Sequence, residues 1–395
     1  MGTYSTIQAA VDASSEISFS HVELGDGVYR ENVVVMTDSS SANGVSIQAA
    51  PGCSPVWRQA TAFGPGPILT LDSSADLDGG DVLVDIRNIQ FSTAEPDPTD
   101  PLGSLIWPTD GAAIVAEADS TGVLGGYETA DFLIWIDDCE FLNCRAGQAS
   151  SGESRDGGAI RVQGVELDIV NCRFDGCHAT NAGSISASSS LVEIDNCDFT
   201  NGVASANGGV IQAVDCEIQI YESRLSANTA AYHGGAILVE GSSLDLAHCS
   251  LRNNAAFAGG GGAVYVREAT VPPPYGFTPG SEISDCRFVD NSGPTQPHIM
   301  LEGMLEVRMY STHICPQPSA PESWVTYTGY EPTVETVCAD DIADINCDGA
   351  SDAADLLLVL SHWGSRSHWA LPDVTDDGQV DVYDLLQVLS GMASG

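Results

Sequence analysis

From residue 111 to residue 291 the chain is written in short runs of alternating apolar and polar positions, and the runs repeat. Each unit has the form apolar-x-apolar-x-x-Cys-x-apolar. It appears as Ile134-Trp135-Ile136 to Cys139-Glu140-Phe141, as Leu167-Asp168-Ile169 to Cys172-Arg173-Phe174, and as Val192-Glu193-Ile194 to Cys197-Asp198-Phe199. Ile218 to Leu225, with Ser223 in the cysteine place, Leu244 to Leu251 and Ile283 to Phe288 continue the series. Successive cysteine positions lie 33, 25, 26, 26 and 37 residues apart. The two long intervals hold insertions, Gln148 to Asp156 and the proline-rich Val271 to Gly280. Alternation at period two predicts strands with one buried face. The two residues between the halves of each unit would reverse the faces of a straight strand, so a bend is expected there, keeping both halves inward. A second block, Gly157-Gly158-Ala159-Ile160 and its echoes at 182–185, 208–211, 234–237 and 261–264, marks another corner where a Cβ would crowd the turn. One such coil cannot bury its apolar face and a stack can, so the pattern predicts a solenoid.

The pattern changes at both ends. Thr6 to Ala13 has apolar residues at helical spacing, which predicts a short helix closing one end of the stack, where an open sheet edge would otherwise be exposed. Near the other end, Asp355-Leu356-Leu357-Leu358-Val359-Leu360-Ser361 and Asp384-Leu385-Leu386-Gln387-Val388-Leu389-Ser390 match at six of seven positions and predict two helices. Each closes a twelve-residue stretch with oxygen-bearing side chains at positions 1, 3, 5, 9 and 12 and glycine at 6, the pattern of a calcium loop. The expected ligands of a first Ca2+ are Asp344, Asn346, Asp348, Ala350 through its carbonyl, Asp352 and Asp355. Those of a second are Asp373, Thr375, Asp377, Gln379 through its carbonyl, Asp381 and Asp384. Residues 340–384 hold eleven Asp and one Arg, so folding of this part is expected to couple to calcium. Residues 313–339, with Pro316, Pro318, Pro321 and Pro332, read as a stiff linker or a last capping segment.

These residues resemble right-handed parallel β-helix proteins of the pectin-lyase-like superfamily, over roughly residues 5–312. The Gly-Gly-Ala-Ile blocks, with Leu225 to Asn228, Leu251 to Asn254 and Phe288 to Asn291, look like the repeats of polymorphic outer-membrane adhesins. Gly27-Val28-Tyr29-Arg30-Glu31 is similar to a segment of pectin methylesterases and of many non-esterase β-helices, where it belongs to the first coil. The paired loops and helices resemble dockerin domains, which implies a cohesin-like partner or a cell-surface anchor. The expected fold is therefore mainly β: a right-handed parallel β-helix solenoid over 1–312 with an N-terminal capping helix, the 313–339 segment, and a small α-helical, calcium-binding, dockerin-like domain over 340–395.

Charge narrows the function. The chain has 55 acidic and 13 basic residues, a formal net charge of −42, and every basic residue is arginine. That excludes lysine chemistry and argues against nucleic acid, whose affinity comes mainly from neutralised phosphates. No run is long enough for a membrane span. Residues 1–4 lack the basic and apolar regions of a signal peptide, so a secreted or cell-surface protein is expected to have lost its signal. Of the 12 cysteines, five recur at the inward repeat position. Others leave room for disulfides, and Cys144 with Cys177 is one candidate pair.

Catalytic candidates are few. Trp135, Asp168, Glu193, Gln219, Asp245 and Glu282 hold one outward position in successive coils, which places Asp168 beside Glu193 at roughly 5 Å and would raise the pKa of one of them. Arg155 and Arg161 are the basic candidates near the first insertion. The column Glu140, Arg173, Asp198, Arg224, Ser250 and Arg287 is expected to be a charge ladder between coils. Phe132 to Cys139 resembles a pectate-lyase segment, but Asp138 stands where that pattern has histidine and the downstream arginine motif is missing. His178 and His233 follow turns without a matched nucleophile. Three readings stay open: a secreted, polysaccharide-interacting module attached through the dockerin-like tail, a polysaccharide lyase or glycoside hydrolase, and an adhesin-like structural protein.

Overall fold

The computed structural model describes residues 2–14, 20–36, 44–59, 66–72, 82–93, 112–118, 132–146, 156–267, 281–294, 298–303, 307–310, 312–315, 325–329, 333–334, 337–338, 343–345, 350–365, 372–375 and 379–394. Among the described residues the strands form three long parallel sheets, two of 11 strands and one of 10, with a fourth of four short strands. Successive coils give one strand to each long sheet, the last described coil to the first two only, and each strand pairs with its equivalent one coil on, as Glu166–Val170 pairs with Leu191–Asp195. This is the stacked-coil architecture of a parallel β-helix.

The bend inside each unit has a definite backbone cause. The residue before each inward cysteine position takes positive φ, from Asp138 and Asn171 through Asn196, Glu222, His248 and Asp285. One left-handed residue turns the chain without reversing its faces. Cys139, Cys172, Cys197, Cys249 and Cys286 are therefore buried, as is Ser223 in the same column. Two residues on, Phe91, Phe141, Phe174 and Phe199 stack in one column, with ring centroids 5.0, 4.6 and 4.6 Å apart.

At the glycine corner the two positions do different work. The first is left-handed, and Ala182 adopts it at φ 54° where its neighbours have glycine. The second has no room: a Cβ on Gly209 would lie 2.8 Å from Thr229 N and strike the Gly235 carbonyl.

The first helix, α1 (Ile7–Ser14), buries Ile7 and Val11 against the first coil. Glu31 explains the Gly27-to-Glu31 motif here. Its carboxylate accepts from Ile7 N at 2.9 Å and Gln8 N at 3.2 Å, at the helix N-terminus where a negative charge is favoured. Past residue 312 parallel pairing continues. Val325–Gly329 pairs with Ile299–Gly303, and Val337–Cys338 pairs with Thr312–His313, so much of the expected 313–339 linker or cap extends the solenoid sheets.

Two further helices follow, α2 (Ala353–Ser361) and α3 (Val382–Ser394). With Ala343, Ile345 and Val374 they build a second, separate core around Val359, Val380 and Val388. Among the described residues no helix is long and apolar enough to cross a membrane.

Candidate functional site: an acidic sheet face and a pair of acidic loops

The outer face of the first sheet carries the predicted column. Trp135, Asp168, Glu193, Gln219, Asp245 and Glu282 are consecutive register partners. Asp168 is half-buried and lies directly beside exposed Glu193. Burial, then the Glu193 and Glu166 charges, push the Asp168 carboxyl up to about 6. Burial raises Asp245 as well; a hydrogen bond from the Glu282 backbone works against it, and the Glu282 and Glu217 charges add to it. Trp135 keeps 36% of its surface open at one end of this column. From Trp135 to Glu282 the face is thus a row of an indole, carboxylates and an amide, spaced by the strand repeat of about 4.8 Å, and the same position runs on to Asp85 before Trp135 and to Arg308 after Glu282.

The basic candidates do not converge on it. Arg161 forms an ion pair with Glu117 on the third sheet. Arg155 lies outside the described residues, as do both insertions apart from Asp156. Among the described residues the expected charge ladder shows a cross-coil pair of Arg224 with Asp198 at 2.8 Å. Arg173 turns instead to Asp175 on its own strand, also at 2.8 Å, because Asp198 already takes both Nε and Nη2 of Arg224.

The inward cysteines of the coils are buried thiols. Cys144 and Cys177 are free thiols, each donating to a backbone carbonyl, Phe91 O and Phe141 O, so the candidate disulfide is absent. Burial pushes the Cys139, Cys172 and Cys286 thiols well up and Cys216 to about 12, which keeps them from acting as thiolate nucleophiles.

One cluster escaped the sequence. On the outer face of the third sheet the His233 ring lies 4.4 Å from the Tyr265 ring, and Tyr265 donates its hydroxyl to Glu302. Glu240, Arg267 and Glu302 are register partners there, and Arg267 pairs with Glu240. His233 Nδ1 accepts from Gly260 N at 3.2 Å, and burial lowers its pKa, so the ring is neutral. Burial and Glu302 raise the Tyr265 phenol, which holds its proton. The repeat gave no sign of this cluster, because Tyr265 stacks between Leu238 and Met300 in its column.

In the tail the loop positions are arranged alike. Asp344 and Asp355, positions 1 and 12 of the first loop, are 3% and 0% exposed, and Asp373 and Asp384 of the second are 2% and 0%. Asp355 accepts from Ile345 N and Asp352 N at 2.7 and 2.8 Å. Asp384 accepts from Thr375 N and Asp381 N at 2.9 and 2.7 Å. Position 9 has a second role: Asp352 caps α2 by accepting from Ala354 N at 2.7 Å, and Asp381 accepts from Tyr383 N at the same distance. Ala350 and Gln379 sit at the surface, while Asn346, Asp348 and Asp377 lie outside the described residues. Among the described residues no three His, Cys, Asp or Glu side chains converge as a metal site. Two buried acids closing each loop nevertheless form a donor set suited to a hard dication, whose charge would offset their burial.

The family described as right handed beta helix region matches residues 158–303 of this chain. No curated protein matches it. Among solved structures it is similar to the mannuronan C-5 epimerase A-module of Azotobacter vinelandii, at 14% identity and TM-score 0.36 over 83% of this chain and 94% of that one. It is also similar to the enzymatically active domain of tailspike protein 2 of bacteriophage CBA120, at 8% identity and TM-score 0.37 over 86% of this chain and 45% of that one. A PL6 alginate lyase in complex with a trisaccharide aligns at 10% identity and TM-score 0.33 over 85% of this chain and 83% of that one. At scores this low the fold stands on the strand pairing itself.

Proposed function

We propose that this chain is a secreted β-helix module that binds polysaccharide along its first sheet and is attached to a cohesin-like partner or surface anchor through a calcium-dependent, dockerin-like tail spanning residues 340–395. The observation that carries the attachment is the apolar surface of the tail. Leu357, Leu360, Trp363, Val382, Tyr383, Leu386 and Leu389 are 43–65% exposed, on or just after two short helices that already share a core. Open apolar surface gathered in one small unit marks an interaction site. Two Ca2+ ions would be held by Asp344, Asn346, Asp348, Asp352 and Asp355 with the Ala350 carbonyl, and by Asp373, Thr375, Asp377, Asp381 and Asp384 with the Gln379 carbonyl. Calcium there would supply the positive charge that lets the acidic loops close.

The ligand face is the Trp135-to-Glu282 column. Its carboxylates and Gln219 match sugar hydroxyls, and Trp135 can stack on a sugar ring. A net charge of −42 repels polyuronates, so the expected glycan is neutral. The test is a glycan array with the full chain, alongside binding to cohesin-type domains in calcium and in chelator. Binding to neutral glycans lost in Trp135→Ala, and calcium-dependent cohesin binding lost in Leu386→Asp, support the reading. No glycan bound, or cohesin-type domains ignored in calcium, removes that half of it.

A second reading, glycoside hydrolysis, is favoured by Asp168 alone: an acid pushed up to about 6 beside Glu193 suits a general acid with a carboxylate partner. Reducing-end release that disappears in both Asp168→Asn and Glu193→Gln would put it first.

A further inference from the structure

The outer face of the second sheet closes where the tail meets it. In the strands Glu140–Leu142, Arg173–Asp175, Asp198–Thr200 and Arg224–Ser226 the outward residues are open or half-open. In the next two strands Ser250, Arg287 and Val289 are each only 5% exposed although they point outward. Arg287 Nη1 donates to the carbonyl of Asp373 at 2.8 Å. Arg252 Nη1, in the neighbouring column, donates to the carbonyl of Thr375 at 3.3 Å. Asp373 and Thr375 are positions 1 and 3 of the second acidic loop.

We propose that the strands Ser250–Arg252 and Arg287–Val289 form an intramolecular seat for the second loop, so that the tail is held at a fixed angle to the β-helix. The charges favour it: two of only 13 cations face a loop containing Asp373, Asp381 and Asp384. So do the contacts, since Arg287 is desolvated and reaches a backbone oxygen that any residue at 373 would supply, and Val289 is covered with it. Of the two gripped residues, Thr375 is tied to Asp384 by its amide and hydroxyl, both at 2.9 Å, and its hydroxyl also reaches Asp373 Oδ1 at 3.4 Å, so the seat grips a hydrogen-bonded part of the loop. A seated second loop leaves the exposed leucines of α2 and α3 to the partner. A partner grasping those helices would then set the direction in which the Trp135-to-Glu282 face points. This deepens the attachment reading and rests on it only for that last consequence.

The experiment is single-molecule energy transfer in the full chain with calcium, between fluorophores carried by noncanonical residues at Glu217 and Gln387, both exposed. The wild type should give one narrow distribution. Arg252→Ala with Arg287→Ala should broaden it and shift the mean, while the β-helix melting temperature stays the same. Arg287→Lys, which keeps a donor, should restore part of the narrow population in the Arg252 background. A broad wild-type distribution, or one that the double alanine variant leaves unchanged, overturns the seat. Neither result touches partner or calcium binding, which are read separately.

Discussion

The side-chain amide of Asn254 donates to Asn291 Oδ1 at 2.9 Å, across one coil of the solenoid. Asn228 donates to Asn254 Oδ1 in the same way, at 3.0 Å. Each asparagine also donates to a carbonyl of the preceding coils and accepts a backbone amide, so these buried side chains are polar rungs inside the core. Asn254→Ala leaves both neighbours short of a partner. It should cost at least about 1–3 kcal/mol, measured by chemical denaturation, more than an exposed Asn201→Ala.

Phe174 lies in the middle of the aromatic column, with rings 4.6 Å away on both sides. Phe174→Ala should cost about 3–5 kcal/mol, again by chemical denaturation. A loss below about 1 kcal/mol would contradict the inward column.

Asp168 gives a pH signature. Its carboxyl moves from 3.8 to about 6 on folding, so the folded chain binds the extra proton between those values. Stability contributed by this group is therefore lowest above pH 6 and recovers as the pH falls through 6 toward 4. Asp168→Asn should raise the melting temperature at pH 8, and the gain should shrink on acidification until it is gone near pH 4. Equal gains at both ends of that range would show that Asp168 is not shifted.

The chain should not eliminate polyuronates. Arg161 is paired with Glu117, and the phenol of Tyr265 holds its proton against Glu302. Assays on polygalacturonate and alginate at neutral and alkaline pH should show no rise in ultraviolet absorbance from unsaturated products. Turnover abolished by Arg155→Ala or Arg161→Ala would promote the lyase reading.

How much was legible follows from what repeats. The cysteine, phenylalanine and asparagine columns recur in step, at 25 or 26 residues except where an insertion lengthens the coil, so the stacked coils and their buried faces could be read directly, including the placing of Asp168 beside Glu193. A repeat does not say which of several neighbours an arginine will choose, and so the ladder through Arg173 and Arg287 was misread. Arg287 reaches a carbonyl 86 residues away, a contact no local pattern encodes. Tyr265 and His233 meet only because coils bring them together, and their column mates share no chemistry with them. The two tail helices were readable because their sequences are near copies of each other.

The account depends most on calcium in that tail. Isothermal titration of the chelated full chain with calcium measures it directly. Two ions should bind, with Asp344→Ala and Asp373→Ala each removing about one and the β-helix melting transition unmoved by chelator. No binding heat in the wild type, or two ions retained in both variants, would contradict the account.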